Sequence, residues 1–459
     1  MDHSSEKPPQ PDSKLPIDRS EQSLVDIEKG SIPERGPEQE QELELGPEPG
    51  TKLKPNPDDF PDGGFEAWLV VVGGFCAVFC SFGWINCIGV FQNYYEQNQL
   101  KQYSSSTIAW IPSTQSFMLF FPGFIAGKMT DELGPRIPIL LGSFLHVFGL
   151  MMTSISKEYY QFFLAQSVCS GLGCCFLFYP VIAACGTWFL RHRALAFGIM
   201  VSGSSIGGVV LPIMVQHLIP QIGFGWTMRA VAFTFLGLLI IANLTIKSRL
   251  PPARRPFHFA ELVKPFMETP FLLLALAAFF IYIGGFLPFN FLILQGEASG
   301  MSTNLASYLV PILNGVSTFG RILPAHVGDT FGVFNVMIVL SAFGAIMTLA
   351  LWLPAAGSAP IILYAIMYGF ASGCTLSIIP AMVAKLGHIS ELGARSGALY
   401  AFSSIGVLIG SPIGGAIQND QHGGYSGLII FTGIALIIGT FFAVLSRTAQ
   451  VGCKIKVKI

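Results

Sequence analysis

Few side chains in this 459-residue chain could do chemistry, and the most conspicuous is a single arginine. Arg321 lies in an apolar run at 304–325. A charged group inside such a run is costly and is a functional candidate by default. A guanidinium can grip a carboxylate through two parallel hydrogen bonds. The competing reading places Arg321 at the edge of its run, as part of a turn signature. His146 and His217 could titrate near neutral pH, but a hydrogen-bonded structural role is the expectation for each. Gln115, Tyr179, Asn290, Asn314 and Tyr400 are polar or aromatic candidates for lining a cavity, together with Asn86. Polar groups of this kind also bond helix to helix. Paired intramembrane carboxylates, a His/Cys metal cluster and a Ser–His–Asp arrangement cannot be identified, nor can a phosphate-cradling Gly-rich Lys-Ser/Thr loop. Catalytic residues, metals and cofactors are therefore not expected, and an enzyme is disfavoured.

The elements that must position these groups follow from composition. Charged residues make up 12% of the chain and hydrophobic ones 52%. A soluble domain carries about a quarter charged residues, so lipid is the expected solvent for most of the surface. Residues 1–66 hold 17 acidic and 7 basic residues, whereas the remainder holds 10 and 19. The net charge of −1 thus hides an acidic tail and a basic body. The tail, rich in Pro, Glu, Ser and Gln, cannot bury enough apolar surface to fold and is expected to be a disordered cytoplasmic segment. Eight of the nine cysteines sit in apolar runs, where cysteine packs as a small hydrophobe. The ninth, Cys453, lies beside a basic end where lipidation is conceivable.

About 20 apolar residues cross the hydrocarbon as a helix. Twelve such runs occur, near 68–91, 108–127, 137–156, 161–185, 194–218, 226–246, 270–294, 304–325, 333–353, 360–383, 395–417 and 425–446. Basic residues crowd alternate loops: Lys128, Arg136, Arg191, Arg193, Lys247, Arg249, Arg254, Arg255, Lys385, Arg395 and Arg447 fall on one side. By the positive-inside rule that side is cytosolic, and both termini with it. The expected division is a tail (1–66), a six-helix half (67–246), a basic linker (247–269), a second half (270–446) and a short basic tail (447–459). The plasma membrane is the expected location.

An internal repeat supports the two halves. Asp131-Glu132-Leu133-Gly134 and Asp329-Thr330-Phe331-Gly332 lie 198 residues apart, and Ser204-Ser205-Ile206-Gly207 and Ser403-Ser404-Ile405-Gly406 lie 199 apart. Six-helix repeats are a recurrent transporter architecture. The glycines Gly203, Gly207 and Gly208, with Gly406, Gly410 and Gly414, point to close helix approach in the fifth and eleventh spans.

The segment Gly127-Lys128-Met129-Thr130-Asp131-Glu132-Leu133-Gly134-Pro135-Arg136 resembles the loop signature of the major facilitator superfamily, with Glu132 where that family usually has arginine. Asp62-Gly63-Gly64-Phe65-Glu66-Ala67-Trp68 and Trp188-Phe189-Leu190-Arg191-His192-Arg193-Ala194-Leu195-Ala196-Phe197-Gly198 are similar to two motifs of its monocarboxylate-transporter branch, in a fungal form. The resemblance implies an all-α polytopic protein of twelve transmembrane helices in two six-helix pseudo-repeats, working by alternating access. It implies gating by Gly127, Asp131, Gly134, Arg136, Asp329, Arg191 and Arg193, and a carboxylate-binding role for Arg321. Two ionisable partners of that branch are replaced, by Asn86 and by Ser317, so its lysine–aspartate proton exchange cannot operate here as written. The implied function is secondary transport of a small organic acid or secondary metabolite, with efflux as one direction; the alternative is a non-transporting metabolite sensor of the same fold. The expected partners are a small-molecule substrate and the lipid bilayer. Nucleic acid is not among them, and an accessory membrane protein has no segment assigned to it.

Overall fold

The computed structural model describes residues 60–251 and 263–452. Most of the acidic tail, Arg254 and Arg255 of the linker, and Cys453 with the basic C-terminus lie outside the described residues. The described elements are helices, and they make twelve crossings. Among the described residues, nine helices have the length and apolar character to cross a membrane, and one of these stretches holds two crossings. The second and eighth spans complete the set. The second is interrupted at Pro122 between Trp110–Phe120 and Gly123–Leu133. The eighth, Leu309–Phe331, is diluted by Asn314, Arg321 and Asp329.

The first span is Phe65–Ile85, continued by Ile88–Gln97. The third is Arg136–Thr153, and the fourth runs from Tyr159 to Gly186 through a π-helical stretch at Phe163–Ser170. The fifth and sixth were expected as separate runs with a loop near 219–225. They are two helices within Arg193–Thr245 that meet at Gly223, whose non-helical φ of 78° lets the chain turn on a single residue in place of a longer loop. In the other half, Thr269–Gly285 and Leu287–Ala298 form the seventh span. The ninth begins at Val333–Met347, the tenth is Ser358–Leu386, the eleventh Leu392–Asp420 and the twelfth Ser426–Val451.

The expected glycine contacts are present. A Cβ on Gly207 would lie 2.8 Å from the Gly83 Cα, which packs the fifth span on the first. Its repeat counterpart, Gly406, brings the eleventh span against Phe279 of the seventh. Between halves, the fifth span packs on the eighth and the second on the eleventh. Large apolar side chains such as Leu140, Phe144, Leu244 and Val339 are exposed on the outside of the bundle, as a lipid-facing surface requires.

Candidate functional site

The eighth span has a polar stripe, Asn314, Ser317 and Arg321, at spacings of three and four that place all three on one helix face. That face is buried against the fifth span of the other half. Arg321 donates to the Val201 carbonyl at 2.8 Å and to the Ser204 hydroxyl, while its Nε has no hydrogen-bond partner. Ser205 donates to Ser317 at 3.2 Å. The single arginine thus lies well inside the bundle, bridges the halves, and is held by neutral acceptors.

A central cavity opens beside it. Asn86, Tyr282, Phe286, Ser317, Arg321 and Tyr368 are in its wall, and Arg321 is the one charged side chain that lines it among the described residues. The enclosed space is about 80 Å³, room for a few waters and far short of a drug-sized ligand. Loading a metabolite therefore requires the halves to part. Asn86 donates to the Phe82 carbonyl at 3.1 Å and approaches the Ser204 carbonyl at 3.5 Å.

The other candidates separate. Asn314 is fully buried beside Gly208, with its Oδ1 unpartnered. Tyr179 donates to the Phe120 carbonyl at 3.1 Å and packs on Tyr400, ring centroids 6.1 Å apart, behind the cavity wall. Asn290 is exposed and donates to Ser411 at 2.6 Å, away from the cavity. Gln115 belongs to a buried chain inside the first half: Tyr95 donates to Gln166, Gln166 to Gln115, and Gln115 to Ser170, whose hydroxyl meets His146 Nδ1 at 2.9 Å. His146 Nε2 closes the chain on the Cys80 carbonyl at 3.0 Å. A carbonyl only accepts, so Nε2 carries the proton. His217 is exposed.

The residues that the resemblance implies for gating lie at the basic end of the bundle, and the contacts of the two aspartates are swapped between halves. Asp131, from the loop signature of the first half, accepts from the backbone N–H groups of Gly393 and Ala394 at 3.2 and 2.7 Å, at the start of the eleventh span. Asp329 accepts from Ala194 and Leu195 at 2.9 and 2.8 Å, at the start of the fifth. Each carboxylate thereby meets the positive end of a long helix dipole in the opposite half. A Cβ on Gly127 would overlap the Gly393 carbonyl oxygen, and one on Gly198 would lie 2.9 Å from the Ala325 Cβ. This end is closed. Gly134 ends the second span with φ 81°, and Arg136 is exposed as the third begins. Arg193 is buried, donates to the Phe189 carbonyl at 2.7 Å and stands 5.5 Å over the Phe60 ring. Arg191 is exposed, and its backbone N–H donates to Asp62 at 2.7 Å. Glu132 pairs with Lys128 at 3.4 Å.

Two contacts at this end escaped the sequence reading. Arg395 forms a two-pronged pair with Glu268 at 3.0 and 2.7 Å, and a third bond to Glu391. The signal was an arginine two residues past Gly393, separated from its partner by 127 positions. Asp62, quoted only for its motif, accepts from Leu190 at 2.6 Å and so joins the two motifs to each other.

Thiol labelling of Ser396→Cys, a buried site beside Gly397, should be slow while the contacts of Asp131 with Gly393 and Ala394 hold and should accelerate in Asp131→Ala, which removes the acceptor of both N–H groups. A labelling rate unchanged by Asp131→Ala contradicts this assignment.

The sequence model of the Major Facilitator Superfamily matches residues 73–368. The chain is 47% identical to the MFS transporter asaE of Aspergillus flavus over 428 residues, covering 93% of this chain and 97% of the relative. It is 42% identical to the fujikurins efflux protein of Gibberella fujikuroi, covering 92% and 91%. Among solved structures, the fucose:proton symporter FucP of E. coli superposes with a TM-score of 0.64 at 15% identity, covering 82% of this chain and 98% of FucP. Inter-half contacts around one central cavity, the internal repeat and these matches agree: this chain belongs to the Major Facilitator Superfamily.

Proposed function

We propose that this transporter exports an acidic secondary metabolite from the cytosol by alternating access. The observation that carries the reading is Arg321, a cation lining the central cavity with no acidic side chain beside it in the wall. A substrate anion supplies what the site lacks, since a buried guanidinium forms its strongest hydrogen bonds with a carboxylate or a similar oxyanion. The printed name of the relative from Gibberella fujikuroi, an efflux protein for fujikurins, supports the direction. The basic end faces the cytosol in this reading, in keeping with the positive-inside rule, and the plasma membrane is the site of action. The monocarboxylate-transporter-like branch is favoured by the Asp62 contacts, which tie together the two segments that carry that resemblance.

The cycle follows from the latches. In the closed form Arg321 is occupied by Val201 and Ser204 of the opposite half. An anion offers a stronger partner, so binding competes with that tether and loosens the seam between the fifth and eighth spans. Inside-out plasma-membrane vesicles bearing the protein should accumulate a radiolabelled organic acid without ATP, and an imposed pH gradient will show whether protons are coupled. Accumulation confined to right-side-out vesicles would reverse the proposed direction.

A further inference from the structure

Part of the cavity wall is aromatic, and it is built from both halves. Phe120 of the second span lies at its centre, with ring centroids 5.3 Å from Phe82, 5.8 Å from Tyr282, 6.5 Å from Phe286 and 5.7 Å from Tyr400. Phe82, Tyr282 and Phe286 form the surface that meets the cavity. Phe120 and Tyr400 stand behind them, toward the closed basic end.

Two features distinguish this layer from ordinary core. The Tyr282 and Tyr400 hydroxyls are buried without a well-formed hydrogen bond, although their rings are only 6.0 Å apart. Arg321 Nε is also buried and unpartnered, and Tyr282 shares the cavity wall with it. Leaving several buried donors unmet is unfavourable. It becomes useful where a ligand brings the acceptors. The donors sit beside ring faces, and ring faces favour offset or edge-on contact with another π-system.

We propose that the site selects acids whose charge is delocalised over a planar conjugated system, such as an aryl carboxylate or an enolised dicarbonyl. The anionic oxygens go to Arg321 and the Tyr282 hydroxyl, and the planar body lies against Phe82, Tyr282 and Phe286. Phe120 and Tyr400 form the seal that must part for such a body to pass. The inference rests on the reading of Arg321 as the anion-binding pole, and adds shape and electronic character to it.

Three probes of nearly equal size separate the two ideas: 2-naphthoate, its saturated analogue decalin-2-carboxylate, and the neutral 2-naphthamide. Binding to the full-length protein in lipid nanodiscs is measured by equilibrium dialysis. The expected result is 2-naphthoate binding about tenfold more tightly than the saturated acid, the size of effect that one or two ring contacts supply. Tyr282→Leu should bring that ratio close to one and weaken decalin-2-carboxylate only as far as Tyr282→Phe does, because both variants lose the hydroxyl that meets the anion, a pattern that general loss of structure would not produce. Tyr282→Phe, which keeps the ring, should retain most of the preference. Equal binding of the two acids by the wild type overturns the preference for planar anions and leaves the anion-export reading intact, provided both acids exceed the amide. Failure of the acids to exceed the amide, or of any probe to bind, overturns both.

Discussion

Leucine in place of Gly127 is expected to reduce transport about 100-fold while the protein still reaches the membrane. The second and eleventh spans meet backbone to backbone there, because a Cβ at Gly127 would fall on the Gly393 carbonyl oxygen. A main-chain oxygen in the first turn of a long helix cannot turn aside as the tip of a side chain can. The helices must separate, which withdraws Gly393 and Ala394 from Asp131. Overpacking of this kind costs about 3 kcal/mol, and a conformer destabilised by that amount is populated about 100-fold less. The measurement is paired: initial transport rates, and thiol labelling of Ser396→Cys, which should be fast in the variant. A variant that transports within twofold of the wild type would show that the close approach is no part of the cycle.

The second large effect concerns Arg321. Arg321→Gln should lower acid transport by about 100- to 10,000-fold, since two charge-assisted hydrogen bonds of about 1.5–3 kcal/mol each are lost together. Arg321→Lys should fall between, keeping the charge and losing the fork that matches two oxygens. Because Arg321 also holds Val201 and Ser204, the glutamine variant should open more readily when empty. Slow transport combined with fast labelling separates this variant from a misfolded one. Transport by Arg321→Gln within tenfold of the wild type would exclude the arginine as the anion-binding pole.

The architecture was legible because lipid simplifies the problem. Twelve apolar runs had to be helices, and the Asp131 and Asp329 segments marked equivalent points in the two halves. The sequence also pointed to Arg321, since a guanidinium is conspicuous among aliphatic neighbours. It could not say that each aspartate caps a helix of the opposite half, because the partners are backbone N–H groups that any residue at 194 or 393 would provide. Nor could it separate Phe120 from Phe144. Both are phenylalanines in apolar runs, yet one lies in the seal between the halves and the other faces lipid. Polarity alone misplaced attention in the same way. Gln115 and Asn290 are as polar as Asn86, but the first is committed to a chain ending at His146 and the second to Ser411. Tyr282 was passed over because nothing local distinguishes a tyrosine in a cavity wall from one that is merely packed.

The exchanged aspartates carry a further consequence. Position 131 of one half serves position 393 of the other, and position 329 serves 194, with matching offsets of 198 and 199. Reciprocity of that sort is what a twofold axis imposes on an isologous dimer, here preserved inside one polypeptide. A true homodimer must repeat every side chain on both sides of the axis. A fused duplicate need not, and the place where this chain breaks the rule is informative. Gly397 abuts the backbone of Gly123, and its counterpart Gly198 abuts the backbone of Arg321, so Gly123 and Arg321 occupy equivalent positions. One arm of the seam has a cation there. The other has a glycine with Tyr179 lying over it, next to the ring layer. The proposed anion site is therefore lopsided: the paired aspartate caps keep the twofold relation, and Arg321 stands where the two copies of one position differ.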